Sequence, residues 1–244
     1  MLKTFPSRAF QSGNQDVPWY YAATAEKFLE DAENPRAFRR LLTKAHRQRW
    51  GVHPTDGEML SWERSPAVLQ TLLEHADLTE DQMVVFEYCL QNAGRIDVVL
   101  CGVDRQERLN AVLLELKQWQ RCKMEESQSE DEVRVDFGSG VEERPHPSVQ
   151  VLGYRNRLQD VLVPRERKGA EHVRLSPYVY LHNCSPVSKN IENMRQVLYD
   201  RKFRPYLHPA PLFMEENAAT LERKIGRRTE RGRGSDVLQR LGNQ

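Results

Sequence analysis

Through residues 1–80 apolar positions recur every three to four residues; beyond them they shorten into runs rich in branched side chains. "YYAATAEKFLEDA" and "RAFRRLLTKAHRQRW" carry the helical spacing, with Pro35 near the start of the second. "TDGEMLSWERSPAVLQTLLEHA" predicts one or two further helices, interrupted near Pro66. "QMVVFEYCL", "RIDVVLCG" and "NAVLLELKQW" then predict three strands separated by turn-like segments. Residues 121–145 are acidic, polar and glycine-bearing, which predicts a mobile loop, although "EVRVDF" alternates as a strand would. "HPSVQVLGYRNRLQDVL" predicts a helix with Pro147 in its first turn, where a missing N–H costs least. "SPYVYLHN" predicts a strand, and "NIENMRQVLYD" and "ENAATLERKI" predict helices. The expected fold class is mixed α/β. A helical region over 1–80 packs on a core over 81–225, and 226–244 has the basic composition of a linker.

Charge interrupts the most apolar segments, and there the chemistry begins. Asp97 lies inside the second strand, and Glu115 and Lys117 inside the third. Side chains alternate along a strand, so Glu115 and Lys117 share one face about 6.5 Å apart, while Leu114 and Leu116 point to the other. A hairpin through "GVDRQERLN" brings Asp97 alongside them. Two hard carboxylates suit Mg²⁺ or Mn²⁺, which leaves positions open for water and phosphate. A nearby lysine can help deprotonate water and offset charge on phosphorus. A buried ion pair is the plainer alternative for the same residues.

Composition changes this picture little. The chain has 244 residues, is 39% hydrophobic and 29% charged, and carries a net charge of +1. No apolar run is long enough to span a bilayer, and the amino terminus lacks a secretory pattern, so a cytoplasmic protein is expected. Cys89, Cys101, Cys122 and Cys184 are too widely spaced for a CxxC pair and read as free thiols. Basic residues concentrate in "RAFRRLLTKAHRQRW", "YRNRLQDVLVPRERK" and "ERKIGRRTERGRG", each either a solvated face or a place for phosphates.

"RIDVVL" followed by "LLELKQW" resembles the core of the PD-(D/E)xK nucleases, with Asp97 as first acid and Glu115-Leu116-Lys117 as the ExK. Ile96 stands where the motif's proline would be. "QVLGY", with Gln150 and Tyr154 at i and i+4, is similar to the QxxxY motif of the RecB-type branch. From about residue 50 onward the chain looks like a bacterial group in which such a nuclease precedes a P-loop, helicase-like ATPase; no GxxxxGK[ST] occurs here.

The resemblance implies a restriction-endonuclease-like core and a Mg²⁺- or Mn²⁺-dependent deoxyribonuclease. It implies a role in phage defence or DNA processing, with the ATPase supplied as a partner or a further domain. Asp97, Glu115 and the Leu116 carbonyl become metal ligands, with Glu58, Glu63 and Glu87 as candidates for an additional acid. Lys117, Gln150 and Tyr154 complete the catalytic set. His146, Ser148 and Arg155 are expected at nucleic acid, although His146 reads more simply as a helix cap. Trp62 and Trp119 are expected in packing, and His182 at a strand end. The rival reading is a silent nucleic-acid-binding scaffold that keeps the fold. Oligomeric state stays open.

Overall fold

The structure, a computed structural model, describes residues 10–11, 17–76, 79, 81–91, 94–119, 122–138, 140–162 and 172–242. Three neighbouring strands form its middle: β3 (Met83–Cys89), β4 (Arg95–Val103) and β5 (Leu109–Lys117). They are apolar on both faces because both are covered, which is why they read as near-continuous branched runs. On one side β2 (Trp19–Thr24) and then β1 (Phe10–Gln11) extend the sheet; on the other β9 (Arg174–Leu181) and β10 (Leu212–Met214) do so. The order is β1-β2-β3-β4-β5-β9-β10, antiparallel up to β5 and parallel from β5 through β10.

Helices cover the two faces. α1 (Ala25–Ala32), α2 (Pro35–Trp50), α3 (Asp56–Glu74) and α7 (Ala218–Thr229) pack Phe28, Phe38, Trp62, Leu69 and Ile225 against Phe86, Val98, Val112 and Leu114. α4 (Pro147–Leu162), α5 (Ile191–Leu198) and α8 (Gly234–Gly242) place Val151, Met194 and Leu241 on the opposite face with Val85, Val99 and Leu113. A one-turn helix, α6 (Arg204–Leu207), lies in the crossover from β9 to β10. The molecule is thus mixed α/β, three layers deep, and no described helix is long and apolar enough to cross a membrane.

Four expectations are corrected. "YYAATAEKFLEDA" is not helical throughout: residues up to Thr24 form β2, and α1 begins only at Ala25, capped by the Thr24 hydroxyl accepting from Lys27 N. A strand buried on both faces has the same unbroken apolar look as a buried helix, so pattern alone could not separate them. α3 runs unbroken through Pro66. Residues 121–145 are not a loop but for the most part a second, antiparallel sheet of β6 (Lys123–Glu126), β7 (Glu132–Asp136) and β8 (Val141–Pro145). Its Met124, Val133 and Val135 join the core while its acids face out.

The last correction concerns the basic tail, whose residues 234–242 form α8 rather than a linker. Val237, Leu238 and Leu241 are buried, and Tyr88 Oη donates to the Leu241 carbonyl at 2.9 Å. Gly234 lets this helix start against the sheet: a Cβ there would fall 2.5 Å from the Cys101 carbonyl oxygen. All four cysteines are buried and unpaired.

Candidate active site

Register brings the charged positions together. Val98 faces Leu114 across the β4–β5 pair, so the next step along the two strands carries Asp97 beside Glu115. On the other flank of β4, Phe86 faces Val98 and Tyr88 faces Ile96, with Glu87 and Asp97 between them. Glu87 has φ 54, a left-handed conformation that is costly for a side chain of its size. It shifts the alternation: Phe86 belongs to one core and Tyr88, two residues on, to the other. The same slip separates Val98 from Ile96 on β4. Three acids therefore meet where the sheet's pleat changes phase.

α4 lies over this point and supplies the polar roof. Lys117 Nζ donates to Glu115 Oε1 at 2.7 Å and to Gln150 Oε1 at 2.9 Å. Gln150 Nε2 donates to Glu115 Oε1 at 2.8 Å and to Tyr154 Oη at 2.9 Å. An ammonium only donates and a carboxylate only accepts, so these partners fix the orientation of the Gln150 amide. Tyr154 Oη accepts in its bond with Gln150, which leaves its own proton for a group in the cavity. Burial, and after it the charge of Glu115, push the Tyr154 pKa up to about 12, so that proton is retained at neutral pH. Asp97 Oδ2 accepts from Leu116 N at 2.8 Å. Burial first, then Glu115 and Glu87, raise the Asp97 pKa well above the usual carboxylate range.

Asp97 and Glu87 open on a cavity of about 500 Å³, which Trp50, Glu58, Trp62, Arg95, Gln150 and Tyr154 also line. Its far wall is organised by Arg95, to which the sequence offered only its place two residues before Asp97. The Arg95 guanidinium pairs with Glu87 Oε2 at 2.7 Å and with Glu58, donates to Tyr20 Oη at 2.9 Å, and lies over the Tyr20 and Trp62 rings. Glu58 is also the N3 member of the capping box that starts α3. Hydrogen bonds from Arg95 and Thr55 outweigh burial and lower its pKa. Glu87 accepts from Trp62 Nε1 at 2.8 Å, yet burial dominates and raises its pKa to about 7.

Whether the residues fit a cation turns on Glu115. It is 3% exposed, and its Oε2 is buried without a hydrogen-bond partner among the described residues. A carboxylate oxygen desolvated and unbonded is costly unless a cation meets it. Among the described residues no group of three Asp, Glu, His or Cys side chains is placed to hold a metal ion. Asp97 and Glu115 instead suit an ion that keeps part of its water shell, as Mg²⁺ does.

Comparisons with family models, curated proteins and solved structures found no match. Residue by residue, Asp97, Glu115, Lys117, Gln150 and Tyr154 come together as expected. Of the additional acids, Glu58 and Glu87 reach the cavity, whereas Glu63 is held by Arg39 at 2.6 Å between α2 and α3. His146 is 0% exposed and is no surface contact for nucleic acid. Its Nδ1 accepts from Ser148 N at 3.1 Å, which makes it the cap of α4. Nε2 then carries the proton and donates to the Leu198 carbonyl at 3.0 Å, and the ring stacks on Phe203.

Ser148 is equally buried and cannot reach a duplex or strand outside. Arg155 is half-buried and turned onto Asn156. Trp62 is core, and Trp119 packs under Lys117, whose Nζ is 5.6 Å from the ring. His182 follows β9 directly, and burial lowers its pKa to about 4. Sequence reasoning missed Arg95, Tyr20 and Trp50; Tyr20 lies in the segment misread as helix.

Proposed function

We propose that this protein is a divalent-cation-dependent nuclease that hydrolyses phosphodiester bonds in DNA. The observation that carries the reading is the joined set on β5 and α4: Glu115, Lys117, Gln150 and Tyr154 in one hydrogen-bonded chain beside Asp97, with Glu115 Oε2 buried and unbonded among the described residues. Asp97 and Glu115 would hold Mg²⁺ or Mn²⁺, with the Leu116 carbonyl beside them. The ion would supply charge neutralisation at the phosphate. Lys117 is aimed by Gln150 at the same edge, where its ammonium can offset negative charge that builds on phosphorus and orient the attacking water. Tyr154 can donate to a phosphate oxygen. The resemblance stated above supports phage defence or DNA processing in the cytoplasm, in company with an ATPase.

The test is cleavage of linear double-stranded, single-stranded and closed circular DNA in Mg²⁺, Mn²⁺ or EDTA. A Lys117→Ala protein of equal melting temperature runs beside the wild type. Cation-dependent cutting that falls about 10²–10⁴-fold in the variant is expected. Equal cutting by both proteins would remove Lys117 from the mechanism, and no cutting by the wild type on any substrate would favour the scaffold.

A further inference from the structure

α2 is a cationic helix with no acid of its own. Its sixteen residues, PRAFRRLLTKAHRQRW, contain Arg36, Arg39, Arg40, Lys44, Arg47 and Arg49. Glu63 neutralises Arg39. Arg36, Arg40, Lys44 and Arg47 are exposed, and among the described residues none of them forms an ion pair. Their spacing of four, four and three puts them on one face, about 6 Å apart along the axis at each four-residue step.

A face designed only for solvent would look different. Like charges at i and i+4 destabilise a helix, and opposite charges there are the ordinary arrangement. The macrodipole also disfavours cations in the first turn, where Arg36 lies and where no acid accompanies it. The stripe therefore opposes its own helix, and a polyanion would reverse the sign of both effects.

The stripe leads to the candidate site. Arg40, Lys44 and Arg47 line a groove of about 670 Å³ closed by Gly51 and by Met59 of α3. Trp50, the last residue of α2, lines the acidic cavity. It is 52% exposed, yet its orientation is set: Nε1 donates to Tyr20 Oη at 2.6 Å, and the same oxygen accepts from Arg95. Arg49 adds a guanidinium 5.7 Å from the ring centroid. An exposed indole held in one orientation loses little entropy when a base stacks on it.

We infer that the outer face of α2 is a track for a single strand of DNA. Arg36, Arg40, Lys44 and Arg47 follow its phosphates, and Trp50 stacks an unpaired base at the entrance to the acidic cavity. This rests on the nuclease reading for the purpose of the track. An unpaired base is the fitting occupant because a base inside a duplex offers no free face.

Binding of a fluorescent oligothymidine and of a blunt duplex, followed by anisotropy in EDTA over a salt series, separates the track from catalysis. In the triple variant Arg40→Glu, Lys44→Glu, Arg47→Glu, single-strand affinity falls at least tenfold. The slope of log Kd against log salt also falls, by about 2, for three phosphates at about 0.7 each. Trp50→Ala lowers affinity about 5- to 150-fold and leaves the slope unchanged.

Unchanged affinity and slope in the folded triple variant overturn the inference, as does a wild type that binds the blunt duplex more tightly than the single strand. Cutting in Mg²⁺ is scored separately. A wild type that binds through the stripe but never cuts keeps the track and loses the nuclease, and a wild type that cuts while the stripe variants bind normally does the reverse.

Discussion

Asp97 carries the sharpest residue-scale prediction, because its surroundings oppose its charge. Its folded pKa lies above the unfolded value, so between the two the folded state holds a proton that the unfolded state lacks. That contribution is present below the unfolded pKa and is lost as pH rises through the raised one. Asp97→Asn removes the loss. The variant is expected to melt above the wild type at pH 8, with the gap narrowing as pH falls toward the ordinary carboxylate range. A fall of about 3–5 kcal/mol at pH 8 would instead identify Asp97 as half of a structural ion pair.

Glu87, raised to about 7 chiefly by burial, acts in the same direction: its contribution is present below the ordinary carboxylate pKa and is lost as pH rises through about 7. Mg²⁺ bound by ionised acids would counter it, so the shift in melting temperature on adding Mg²⁺ is expected to be larger at pH 8 than at pH 6. An equal or smaller shift at pH 8 would argue against ligation by these carboxylates. The acids, Lys117, Gln150 and Tyr154 were legible in the sequence because their spacings match strand and helix periods. Arg95 was not, since its partners Glu58, Glu87, Tyr20 and His46 come from four different elements.

At the scale of elements, α4 and α8 make opposite points. α4 was legible down to Pro147 in its first turn, but His146 before it serves the fold rather than a ligand. His146→Ala breaks the cap and the Leu198 bond and empties a fully buried site, at an expected cost of about 2–4 kcal/mol in denaturant unfolding. Oligonucleotide affinity should not move; a loss of binding with unchanged stability would restore it as a contact. α8 has the opposite history, since Arg- and Gly-rich composition just before it read as a linker while Val237, Leu238 and Leu241 dock it. Leu241→Ala is expected to cost about 2–5 kcal/mol. A change within about 0.5 kcal/mol would mean the helix contributes nothing to the fold.

For the whole molecule, net charge of +1 conceals a division of labour. Acids gather at the slip in the sheet, and cations without an ion-pair partner among the described residues line the outer face of α2 beside it. A balanced total therefore does not exclude a polyanionic partner, whose pull depends on local field rather than on the sum. The sequence alone determined the mixed α/β class, the three central strands, the helix over the site, and the shared face of Glu115 and Lys117. All of these are periodic features, set within one turn or one pleat. Only the tertiary structure decided that residues up to Thr24 are a strand, because a both-sides-buried strand is recognised by its neighbours and not by its pattern. It also decided that Glu87 joins Asp97 through a backbone slip, and that Arg95 ties Glu58, Glu87 and Tyr20 into one wall. Those associations link positions up to 75 residues apart. No local period records them, since they exist only once the sheet has set its register.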